Sequence, residues 1–94
     1  MFYIKDFCPI CQVGDIGFRY CEDKKIVVLM CDECDTVWTS PENINVCNAI
    51  FSTPPRFCIP QVKCCLINSR WATWKEIEMQ GWTQFVESEI AIIE

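Results

Sequence analysis

The chain is expected to be a small α+β domain: a metal-stapled β-hairpin unit packed with short C-terminal helices. Three observations lead there. Two Cys-x-x-Cys pairs, Cys8/Cys11 and Cys31/Cys34, bracket a hairpin pattern. Thr73-Trp74-Lys75-Glu76 matches a capping box that opens a helix. The 94 residues, 51% of them hydrophobic, suffice for one core and one domain, 1–94, with the hairpin unit at 1–40.

After the first cysteine pair, Gly14 and Gly17 suit turns. Phe18 and Tyr20, then Ile26 to Met30, read as two strands joined by the polar turn Glu22-Asp23-Lys24-Lys25. The second strand leads directly into Cys31-Asp32-Glu33-Cys34, and Val37-Trp38 starts a third. Ser40-Pro41-Glu42 reads as a helix start, with a capping side chain, a proline at the first helical position and an acid in the first turn. A short helix through about Ala49 is expected, although Asn43, Asn45 and Asn48 are poor helix formers.

Residues 51–69 hold Pro54, Pro55 and Pro60 and read as loop with a short strand at Val62 to Ile67. A helix is expected from Trp74 to Gln80, opened by Thr73 and closed at Gly81, which takes the left-handed conformation at no steric cost. Trp82, Phe85, Val86 and Ile90 then recur at helical spacing, while Ile90 to Ile93 suits a strand equally well. Residues 41–94 thus read as a short helix, a loop or strand, and a C-terminal helical part.

Nine cysteines in so short a chain raise the question of disulfides. Nine is odd, the start Met-Phe-Tyr-Ile-Lys-Asp-Phe-Cys lacks a signal-peptide core, and Cys-x-x-Cys is a metal spacing. The expectation is a reduced, cytoplasmic protein. No apolar run approaches 18 residues, so no membrane span is expected.

Two residues between cysteines let a tight knuckle turn both sulfurs toward one ion. Residues 12–30 separate the pairs, nineteen positions that fit a four-cysteine site joined by a hairpin. Cys8, Cys11, Cys31 and Cys34 are therefore the expected ligands of one structural Zn2+, in a zinc-ribbon arrangement. Four thiolates close the shell, whereas a catalytic zinc keeps a position for water. A thioredoxin-like redox role would need a strand before the motif and a helix after it, and glycines follow Cys8-x-x-Cys11 instead.

For Cys21, Cys47, Cys58, Cys64 and Cys65 the expectation is a free, buried thiol acting as a small hydrophobe. The sharper alternative is a second site drawn from Cys47, Cys58, Cys64 and Cys65. Adjacent Cys64 and Cys65 would face opposite ways on a strand, which makes joint ligation awkward.

At Cys8-Pro-x-Cys11 and Cys31-Asp-x-Cys34 the chain resembles zinc-ribbon proteins over about its first 40 residues. That resemblance implies metal binding but no particular function, because ribbons serve transcription factors, ribosomal proteins and assembly adaptors alike. The whole chain, with Arg70-Trp71-Ala72-Thr73 and Gly81-Trp82 after the ribbon, loosely resembles small bacterial immunity proteins of contact-dependent growth inhibition and polymorphic toxin systems. No motif defines that likeness, and it assigns a role to no residue.

The net charge of −5 and pI near 4.6 disfavour phosphate backbones and suit a basic protein partner. Asp32, Glu33 and Asp35 ring the second knuckle, Glu22 and Asp23 sit on the hairpin, and Glu76, Glu78, Glu87, Glu89 and Glu94 crowd the C-terminal part. The expected function is protein binding, as an immunity protein whose partner is a basic toxin domain. The alternative is a nucleic-acid-binding or transcription-associated adaptor. Its support is the acid-free stretch 50–75, where Arg56, Lys63, Arg70 and Lys75 interleave with Phe57, Trp71 and Trp74. The bland reading of Trp71, Trp74 and Ile77 is one buried helical face. No catalytic residue is expected: there is no histidine, and no cysteine has a base partner in sequence.

Overall fold

The structure is a computed structural model and describes residues 1–52, 54 and 57–90. Its centre is strand β3 (Ile26–Cys31), where Val27 to Cys31 are all buried. Val27, Leu29 and Cys31 join one core with Ile4, Ile16, Phe18, Trp38 and Ile77. Val28 and Met30 join a second core with Cys21, Val37, Ile59, Cys64 and Leu66. The period-2 alternation of a strand thus feeds two cores from one unbroken apolar run.

Strand β2 (Asp15–Cys21) pairs with β3 in a continuous antiparallel register from Ile16↔Cys31 to Cys21↔Ile26. Its other edge is divided. Strand β1 (Phe2–Phe7) takes the first half through Tyr3↔Gly17 and Phe7↔Asp15. Strand β7 (Ser69–Trp71) takes the second half, from Arg19↔Trp71 to Cys21↔Ser69. Gly17 sits where these pieces meet: an added Cβ would lie 2.5 Å from the Met1 sulfur and 2.8 Å from the Trp71 ring, so no larger residue fits without displacing them. Strand β4 (Val37–Trp38) extends the sheet beyond β3, and β8 (Val86–Glu89) extends it beyond β1.

Each face of the sheet has its own cover. On one lies helix α1 (Trp74–Gln80), which buries Ile77. Thr73 accepts from the Glu76 backbone N–H, the Glu76 side chain accepts from the Thr73 N–H at 2.8 Å, and Gly81 closes the helix at φ 80°. On the other lies a two-stranded hairpin, β5 (Cys58–Ile59) and β6 (Cys64–Cys65), followed by a 3-10 turn at Leu66–Asn68.

The expected fold class is overturned. The strands form one six-stranded antiparallel sheet, and α1 is the one α-helix among the described residues, so this is not a ribbon hairpin packed with several C-terminal helices. The strands over 15–31, β4 and α1 stand where expected. The helix expected after Ser40 does not form: Asn45 and Asn48 cap each other around a 3-10 turn, Val46–Asn48. Asparagine side chains compete for the backbone groups a helix would use. The expected strand at Val62 to Ile67 shrinks to Cys64–Cys65, and the helical spacing after Gly81 becomes a 3-10 turn, Thr83–Phe85, and then β8. Pairing with β1 decides that segment: Tyr3 pairs with Ser88 and, after a one-residue register shift, Ile4 with Val86, and Met1 and Ile90 exchange two backbone hydrogen bonds of 2.8 Å. Ala91 to Ile93, the remainder of the expected tail strand, lie outside the described residues.

Candidate metal centre

Cys8 and Cys11 follow the end of β1, and Cys31 ends β3 with Cys34 in the turn after it. The two turns repeat one geometry. The N–H of Gln12 donates to the Cys8 carbonyl at 3.0 Å, and that of Asp35 donates to the Cys31 carbonyl at 3.2 Å. Gln12 (φ 61°) and Asp35 (φ 59°), each just after its second cysteine, are both left-handed. Closing bonds run from the Cys8 N–H to Gly14 and from the Cys31 N–H to Thr36. Gly14 lets the knuckles meet, since a Cβ there would fall 2.4 Å from the Cys31 sulfur.

The result gathers all four expected ligands. Their sulfurs lie within 4.8 Å of one another, with Cys8–Cys34 and Cys11–Cys31 at 3.6 Å. A tetrahedral thiolate site with metal–sulfur bonds of about 2.3 Å has sulfur–sulfur edges of about 3.8 Å. The spacing is far too long for a disulfide and close to that edge, so the residues fit a tetrahedral ion. The Glu33 N–H points at the Cys31 sulfur at 3.4 Å, and the Thr36 hydroxyl lies 3.1 Å from the Cys34 sulfur.

The metal-free thiols differ. Burial pushes Cys8 and Cys31 up, so they stay protonated at neutral pH. Cys11 is lowered to about 7, chiefly by the backbone N–H of Val13. An ion entering the cluster therefore displaces protons, and its affinity falls on acidification.

The other cysteines depart from expectation. Cys21 bonds Cys64 across the second core, and Cys58 bonds Cys65 across the β5–β6 hairpin. Of the five expected to be free, Cys47 alone is a thiol, and it is exposed. A second metal site from Cys47, Cys58, Cys64 and Cys65 is not assembled. Cys64 and Cys65 do face opposite ways, and that alternation hands each a different partner. Packing of the hairpin on the sheet brings together the first pair across 43 residues, which spacing along the chain does not reveal.

Several charged residues have structural work. Asp32 accepts the Asp15 N–H at 2.9 Å and ties the knuckles together. Arg70 lies over Tyr20 and binds Glu22 and Glu76 at 2.8 and 2.7 Å. That pairing holds the Glu76 carboxyl below its usual range. Arg19 stacks on Trp71, which half-buries in β7 against the second core rather than joining a helical face with Ile77. Trp74 packs on Phe2 and stays 46% exposed. Arg56 lies outside the described residues.

No protein-family model matches the chain, and no solved structure does so significantly. The chain is 33% identical over 91 residues to "Uncharacterized protein L48" of Acanthamoeba polyphaga mimivirus, an alignment covering 86% of this chain and 73% of that protein.

Proposed function

The chain belongs to the family of that mimivirus protein, and we propose that it is a zinc-stapled, non-catalytic module that binds a basic protein partner. Cys8, Cys11, Cys31 and Cys34 would hold one Zn2+, which supplies folding free energy and a closed, unreactive shell.

One observation carries the protein-binding reading: the surface around the metal is apolar and acidic at once. Phe7 is 69% exposed and Val13 73% exposed. Phe7 pairs in register with Asp15, whose N–H binds Asp32, and Gly14, next to Val13, abuts Asp32 and Glu33. Exposed apolar side chains in a rim of like charge mark association surfaces, and here the charge selects a cationic partner. A toxin domain is one such partner, but a viral relative lends the immunity reading no support. The nucleic-acid alternative is weakened because Arg70 is neutralised by Glu22 and Glu76. The two disulfides favour an oxidising setting over the reduced cytoplasm expected from cysteine spacing. No helix among the described residues is long and apolar enough to cross a membrane.

The test uses the wild-type chain and a Phe7→Ser/Val13→Ser variant as paired baits at about 100 mM salt. A basic protein retained by the wild type and lost from the variant, at equal zinc content, supports the reading. Equal retention by both, or retention of single-stranded DNA instead, overturns it.

A further inference from the structure

We infer that the Cys58–Cys65 disulfide is a redox-active site that exchanges with low-molecular-weight thiols, while Cys21–Cys64 is a fixed fastener. The two bonds share the Cys64–Cys65 peptide yet live in different surroundings. Cys21 and Cys64 are 0% and 1% exposed, inside the second core. Cys58 is exposed and Cys65 half-buried. A thiolate from solvent reaches one bond and not the other, and access governs exchange.

Chain connectivity points the same way. Cys21–Cys64 spans a sequence separation of 43, and Cys58–Cys65 one of 7. Loop-closure entropy makes the longer bridge the larger stabiliser of the fold, which suits Cys21–Cys64 to a fastener's role. The backbone adds a third sign. Phe57 (φ 53°), just before β5, and Lys63 (φ 54°), just before β6, are both held left-handed without being glycine. Such strain persists where surrounding structure enforces it and collects at switch sites.

Beside the hairpin lies a surface cavity of about 280 Å3, lined by Arg19, Met30, Asp35, Phe57, Leu66 and Ile67. Phe57 and Leu66 flank the disulfide in sequence and close the hairpin with a 3.0 Å backbone bond. The cavity has room for a small molecule next to the hairpin.

The chemistry balances without any other reactant. A thiolate attacks the Cys58 sulfur, the sulfur–sulfur bond breaks, and Cys65 leaves as thiolate and takes a proton from water. A second thiol attacks the first molecule's sulfur in the mixed disulfide and releases Cys58. Two small thiols become one disulfide, and the protein bond gains two electrons as two thiols. Because Cys64 faces the other way and is buried, the Cys65 thiolate does not pass the exchange inward.

The test is a glutathione redox series at pH 7.5 on the full wild-type chain, with acid quench, alkylation and peptide mass mapping. The expected result is alkylation of Cys58 and Cys65 at least tenfold earlier in thiol concentration than Cys21 and Cys64, at unchanged zinc content. A Cys58→Ser/Cys65→Ser variant should keep Cys21–Cys64 and lose only the early step. Opening of both pairs together, opening of Cys21–Cys64 first, absence of the Cys58–Cys65 bond in oxidised glutathione, or response to a thioredoxin-type protein but not to glutathione would each overturn the proposal.

Discussion

The knuckle end and the hairpin end use the same side chain for opposite purposes. At the knuckles four sulfurs converge within 4.8 Å and none bonds another. At the hairpin four sulfurs form two covalent pairs. The cause is local backbone. A knuckle turn aims both of its sulfurs at one point, so the set could hold a metal ion. A strand alternates its side chains, so Cys64 and Cys65 each meet a single partner on their own face. Cysteine count therefore says little, and the period of the backbone carrying the cysteines decides between metal and disulfide.

The largest effect should come from breaking the knuckle end. Cys31→Ser leaves three ligands, so zinc per chain should fall from one toward zero. The cooperative thermal transition should be lost with it, because structural zinc contributes on the order of 10 kcal/mol to folding. Circular dichroism melts with metal analysis check both; a variant that melts like the wild type would show that the metal is dispensable.

Breaking the hairpin end should cost less. Cys21→Ala/Cys64→Ala removes a bridge across 43 residues and should lower stability by about 4 kcal/mol, measured by urea unfolding. Zinc content should stay at one per chain. Loss of zinc from this variant would show that the two clusters are one folding unit.

Thr73→Ala touches neither cluster. It removes an N-cap and should cost about 1 kcal/mol in the same assay, with metal and disulfides unchanged. The smallest effect concerns pH. The folded-state carboxyl of Glu76 is depressed by Arg70, so its contribution is present above the unfolded value of about 4.3 and is lost as pH falls through the lower folded value. Both partners lie near the surface, so Glu76→Gln should change stability at pH 7 by less than about 1 kcal/mol and should flatten the urea midpoint between pH 5 and 3.

How much was legible follows the same divide between local and distant causes. Helix α1 was readable because Thr73, Glu76 and Gly81 act within one turn of the chain. The four-cysteine cluster was readable because each knuckle is four residues long and the hairpin between them folds on itself. Strands β1 and β7 were not, since each borrows half of one edge of β2 from far away. The segment holding Trp82, Phe85 and Val86 carries a helical spacing that pairing with β1 overrides. The Cys21–Cys64 disulfide was hidden for the same reason, since its partners lie 43 residues apart and meet through the packing of hairpin on sheet, whereas the local Cys58–Cys65 pair was missed because no hairpin was expected over 58–65.

Alkylation and intact-mass measurement before and after chelation test the contrast most directly. The account predicts one zinc per chain, with Cys47 the only cysteine alkylated before chelation. After chelation Cys8, Cys11, Cys31 and Cys34 should join it, making five. A chain without zinc, or one in which all nine cysteines are alkylated before chelation, would contradict it.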